Sequence, residues 1–152
     1  MADTMRHRYG AKNVVKAEVA TGTVIQVGDL CYLDTNKVIN FATKVIASVA
    51  DCSDNFLGVA MQASASGETD PIRIATSGVF EFDMTSGTVY LGYSAEPAQG
   101  GTYVEDQKIA PASTKTDPIG VCIPHSGDGK GGTSETRVLV HIQSAIMKNV
   151  LA

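Results

Sequence analysis

The chain repeats itself. GDLCYLDTNKVINFAT (Gly28–Thr43) has a shorter echo in GGTYVEDQKIAPAS (Gly100–Ser113), and FLGVAMQASASGETDPIRIAT (Phe56–Thr76) has one in PIGVCIPHSGDGKGGTSETRVLVHI (Pro118–Ile142). Each half reads as a glycine, a short apolar strand, a turn, a second strand, then an apolar–Gly–Val step and a closing hairpin. An internal repeat fixes architecture before any single residue does. Here it predicts a small all-β body, a β-barrel or β-sandwich, built from two similar halves.

The residue types agree. Val, Ile and Thr number 16, 10 and 14 against 6 Leu. β-Branched side chains suit pleated surfaces better than helices. The 15 Gly and 5 Pro recur every few residues, which leaves little room for long helices. At 152 residues the chain can bury a real core within one domain. Residues 1–22 read as an N-terminal arm and first strand, 23–143 as the β-rich body, and 144–152 as a C-terminal tail.

Within the body, strands are expected at Asn13–Ala20, Thr23–Val27, Leu30–Leu33, Val38–Phe41, Phe56–Gln62, Ile72–Ala75, Thr88–Leu91, Thr102–Val104, Lys108–Ala110, Ile119–Ile123 and Thr136–Gln143. Val79–Asp83 reads as a strand near an edge or rim. Asp34-Thr35-Asn36-Lys37 carries hairpin-turn chemistry. Lys44–Asp51 fits either a strand or a helical turn, and Gly92–Gly101 reads as a loop. The tail Ser144–Ala152 fits a short amphipathic helix or an extended segment. The expected core includes Leu30, Leu33, Phe56, Val59, Val79, Val121 and Val140, drawn from both halves.

Charge is uneven. Residues 1–16 carry Arg6, Arg8, Lys12 and Lys16 against Asp3, while the remainder holds 8 basic and 15 acidic residues. An acidic body argues against wrapping nucleic acid, which calls for a basic face. The basic arm suits an acidic surface instead. The N-terminus is polar, so no secretory leader is expected, and no apolar run approaches membrane-spanning length. Cys31, Cys52 and Cys122 lack metal-type spacing, and Cys31 and Cys122, set in apolar strand patterns, read as buried thiols in preference to a disulfide.

No catalytic constellation is evident. GDGKGGTS (Gly127–Ser134) superficially resembles a phosphate-binding loop, but Lys130 is followed by Gly131 where Ser or Thr is needed. His7, His125 and His141 are not spaced as metal ligands, and His141 alternates outward from its strand. Asp29, Asp34, Asp51 and Asp54 lack the calcium-loop pattern. No cofactor is expected. The enzyme class is disfavoured because no nucleophile, base and orienting group come together.

VGDLCYLD (Val27–Asp34), FLGVAMQASASGE (Phe56–Glu68), IATSGVFEF (Ile74–Phe82), IGVCIPHSGDGKGG (Ile119–Gly132) and RVLVHI (Arg137–Ile142) together resemble the capsid decoration, or cement, proteins of tailed phages. The second half departs from that pattern, lacking the Asp after Gly in GGTYVEDQ. The resemblance implies a structural virion protein on the exterior of an assembled icosahedral head. It would be made in the host cytoplasm and bridge subunits of the major capsid protein. It also implies a homo-oligomer, a trimer in preference to a dimer. The arm residues Arg6, Arg8, Tyr9, Lys12 and Lys16 are then capsid-contact candidates. The apolar tail residues Ile146, Met147, Val150 and Leu151 are candidates for capsid or subunit contact. A soluble β-barrel binding a small ligand or glycan is the alternative, weakened by the absence of Trp.

Overall fold

The computed structural model describes residues 13–44, 49–125 and 130–147, and the backbone of 7–9. Eleven strands dominate: β1 (His7–Tyr9), β2 (Val14–Ala17), β3 (Leu30–Asp34), β4 (Lys37–Asn40), β5 (Phe56–Ala60), β6 (Ile72–Ala75), β7 (Ser77–Val89), β8 (Ser94–Gly100), β9 (Tyr103–Ala112), β10 (Gly120–Pro124) and β11 (Gly132–Gln143). A 3-10 turn (Phe41–Thr43) and a short helix α1 (Val49–Asp54) follow β4.

The repeat is real, and it is a repeat of topology. The second half runs β7-β11-β10-β8-β9, and a parallel β7–β9 pairing closes it into a five-stranded barrel. The first half runs β2-β6-β5-β3-β4. Its chain continues past β2 to a parallel bridge between Val19 and Val38, where Val38 N donates to Glu18 O (2.8 Å) and Ala20 N to Val38 O (3.0 Å). In each half, strand one meets strand five, five meets four, four meets two, two meets three, and three returns in parallel to one. Thr76 alone separates the halves. β1 adds to the edge of β7 opposite Val79 and Phe80.

The register repeats as well. Leu30 faces Val59 and Cys31 faces Gly58; Ser94 faces Val121 and Ala95 faces Gly120. Val14 faces Ala75 as Val79 faces His141. Gly58 and Gly120 are the same position twice. A Cβ on Gly58 would lie 2.0 Å from the Ala75 carbonyl oxygen, and one on Gly120 would lie 2.3 Å from that of His141. Close backbone approach explains why glycine stands there.

The β5–β6 and β10–β11 halves of the echo are therefore in phase, but the other echo is displaced by a strand. The partner of Gly28 is Gly92, not Gly100. A turn over Gln26–Asp29, with Gly28 at φ 99°, recurs over Tyr90–Tyr93, with Gly92 at φ 93°. Gly28 N donates to Ala60 O (2.8 Å) and Gly92 N to Cys122 O (3.1 Å). Gly92–Gly101, expected as a loop, thus contains strand β8. Expected strands at 102–104 and 108–110 are one strand, β9. Thr23–Val27 is not a strand and contributes only an isolated Ile25–Ser64 bridge. Val79–Asp83 lies inside β7, which has partners on both sides, so it is no rim. The Asp34–Lys37 hairpin stands, with Thr35 and Asn36 left-handed at φ 51° and 67°. Of the ambiguous Lys44–Asp51 stretch, 45–48 lie outside the described residues, and α1 begins at Val49.

Packing joins the barrels into one body. Val19, Cys31, Val38, Leu57, Ile72 and Ile74 fill the first barrel. The second interior, with Phe80, Phe82, Val89, Ile109, Val138 and Val140, is continuous with Leu30, Tyr32, Phe41, Phe56, Val59 and Ala75 from the first half. β5 is therefore buried at every position. Of the expected core, Leu30, Phe56, Val59, Val79 and Val140 are buried and Leu33 packs partly buried against the first-barrel cluster. Val121 is 37% exposed, because nothing described covers its face of β10.

Candidate docking surfaces

The charged groups that fold into the interior are engaged in structure. Asp29, at the turn entering β3, accepts from Gln26 N (2.9 Å), Asn40 Nδ2 (3.1 Å) and Gln107 Nε2 (2.7 Å). Asn40 Nδ2 also reaches the carbonyl of Val24 (2.9 Å) and Asp106 Oδ2 (3.4 Å). This buried cluster joins the loop before β3 and the end of β4 to β9, stitching barrel to barrel. Burial, reinforced by the Asp29 charge, pushes the Asp106 carboxyl up to about 6. Glu81 on β7 is buried and accepts from Arg137 (2.6 Å), with His125 Nε2 at 3.0 Å. Glu96 accepts from Ser94 Oγ (2.6 Å), Thr116 N (2.9 Å) and Asp117 N (2.9 Å), pinning the loop that follows β9.

The cysteines are free and buried. Burial pushes the Cys52 and Cys122 thiols up to about 12 and also holds the Cys31 thiol well above its ordinary value, away from the reactive thiolate. Among the described residues, no three His, Cys, Asp or Glu side chains are grouped to hold a metal ion. No helix among them is long and apolar enough to cross a membrane.

Two of the concavities among the described residues are roomy. One, of about 450 Å³, lies between Val49, Glu96, Pro97, Gln99, Pro111 and Asp117. Asp117 there is raised by burial, then by Glu96 and Asp54. The other, of about 370 Å³, runs between Asn13, Thr76, Ser77, His141, Gln143 and Met147.

The arm and tail candidates fall unevenly. Arg6, Lys12, Val150 and Leu151 lie outside the described residues. Arg8 and Tyr9 belong to β1. Lys16 is exposed on β2, directly opposite Arg73 on β6. The tail turns back on the first barrel: Ala145 N and Ser144 Oγ donate to Phe56 O (2.8 and 3.2 Å), and Ser144 Oγ accepts from Met147 N (3.1 Å). Ile146 is consequently half-buried against the first-barrel cluster, while Met147 stays 53% exposed at the groove. Arg73 was not among the expected contact residues. The signal available was its alternation with Ile72 and Ile74, which turns it outward.

A scan against protein-family models and a search of curated proteins both return no match for this chain.

Proposed function

We propose that the protein is a capsid decoration protein: it binds the exterior of an assembled icosahedral phage head and bridges major capsid protein subunits, acting as a homo-oligomer, preferentially a trimer. The observation that carries this reading is the double barrel itself. A closed five-stranded barrel and a second five-stranded sheet of the same strand order, bridged back on itself at Val19 and Val38, meet across a continuous apolar junction, and among the described residues every buried side-chain nitrogen and oxygen has a hydrogen-bond partner. That is the construction of a rigid spacer. It supports a role in which many modest contacts, repeated over a shell, sum to strong attachment.

A glycan-binding reading gains little. The exposed rings of Tyr90 and Tyr103 stand at opposite ends of β8, and a strand of that length separates them by roughly 20 Å. One flat stacking platform needs them side by side.

The test is co-sedimentation of the purified protein with empty heads, with and without residues 1–12. Attachment that falls on removing the basic segment, and on raising salt, is the expected result. Free protein at every salt concentration would refute the assignment.

A further inference from the structure

The repeat exposes a position that is filled in one barrel and, among the described residues, open in the other. In the second barrel β1 lies antiparallel along the edge of β7 at Val79 and Phe80. The equivalent edge in the first barrel is that of β2 at Val14 and Val15, since Val14 faces Ala75 as Val79 faces His141. No described strand occupies it. Burial differs between the two positions as well: Val79 is 4% exposed and Val14 is 41% exposed.

The backbone of β2 is oriented for a partner. Asn13 O accepts from Thr76 N (2.8 Å) on the β6 side, whereas Glu18 O and Ala20 N bond β4 on the other. Alternation along an antiparallel pair then turns the N–H and C=O of Val14 and Lys16 away from β6. Among the described residues neither has a backbone partner there. An exposed row of such groups is a template for an added strand.

Charge says what kind of strand. β1 is His-Arg-Tyr, a basic segment, and it lies on the strand that carries Glu81. The repeat-equivalent of Glu81 is Lys16. Lys16 sits directly opposite Arg73, both are exposed, and neither pairs with a carboxylate among the described residues. Like charges directly opposite on a sheet are unfavourable unless something answers them. Glu18, the nearest carboxylate along the chain, is engaged by Lys37.

The geometry points to β2 as a docking edge for an extended acidic segment of a partner protein. The segment adds as an antiparallel strand and brings a carboxylate to Lys16 and Arg73. This is strand addition, in which backbone bonds give affinity and one side-chain pair gives selectivity. It goes beyond the capsid reading by naming the surface and the chemistry of what it holds, and it stands on the edge geometry and the Lys16–Arg73 pair without that reading.

The experiment uses the full chain and two blocked heptapeptides, Thr-Val-Thr-Glu-Thr-Val-Thr and the same peptide with Lys at its centre. Amide hydrogen exchange by NMR reads the edge. The Glu peptide slows exchange at Val14 and Lys16 and binds at least about five-fold more tightly than the Lys peptide at low salt, with the gap closing as salt rises. Lys16→Pro removes an outward N–H and abolishes binding. Should that variant misfold, the double variant Lys16→Glu, Arg73→Glu keeps the backbone and inverts the preference between peptides. Absence of Glu-peptide binding, equal binding of both peptides, or protection at another edge overturns the proposal. It would then leave Lys16 as a guard against edge pairing. Peptide binding without attachment to heads would instead refute the capsid reading and leave this one intact.

Discussion

The two barrels share a topology and differ in what their outer faces meet. Across β3, β5 and β6 the first barrel presents Leu30, Val59 and Ala75, all fully buried against the second. The same register positions across β8, β10 and β11 hold Ser94, Val121 and His141, of which Val121 and His141 are exposed. Tyr32, packed near Phe41 with ring centroids 6.0 Å apart, corresponds to Glu96, which holds a loop. A duplicated module thus keeps its interior pattern and rewrites one face. The apolar version makes a junction and the polar version ends the series, as terminal units of repeat proteins do.

The largest effect that bears on this contrast is at Phe56. It is fully buried and meets Phe41 edge-on at 5.8 Å. Phe56→Ala should cost about 3–5 kcal/mol and destabilise both barrels in one transition. Separate unfolding of two lobes by calorimetry would break the shared-core description. Next come the paired glycines. Gly58→Ala and Gly120→Ala each drive a methyl into a backbone carbonyl, so each should cost roughly 2–4 kcal/mol in chemical denaturation. Tolerance at one but not the other would show that the two positions are not equivalent.

The Asp106 cluster gives a smaller, pH-dependent effect. Its folded carboxyl titrates near 6, above the value of a free Asp. The folded protein therefore holds this proton more tightly than the unfolded chain does. Stability from this group is greatest below about pH 4, falls as pH rises towards 6, and stays low above that. Asp106→Asn should flatten the slope and raise stability at pH 7 by roughly 1–3 kcal/mol. An unchanged denaturation profile between pH 4 and 7 would remove the junction charge from the comparison. Smallest of all, Val121→Ala should stay within about 0.5 kcal/mol, because its side chain lies on the uncovered face. A cost approaching that of a core valine would mean the face is covered after all.

The sequence made the duplication and the hairpins legible, because Gly58 and Gly120 sit in matching apolar–Gly–Val steps and Thr35-Asn36 is strong turn chemistry. It misplaced the first echo because Gly28 and Gly92 share little besides the glycine: VGDLCYL and LGYSAEP have no common side-chain pattern. What they share is a turn and two backbone hydrogen bonds, which leave no mark on residue type. Val121 was misassigned for a related reason. It matches Val59 in sequence, yet burial of that face depends on a neighbour present in one half only. The edge of β2 left open among the described residues was likewise invisible until pairing was known, although Lys16 stood out as a charge.

The groove where Asn13, the start of β7 and the end of β11 meet also brings the two flanks of the described body together. Asn13 and Met147, which bound the described body towards either flank of the chain, line this one concavity, and β1 docks beside His141's neighbour Val79. A pull on both flanks at once would therefore reach the described body at one place.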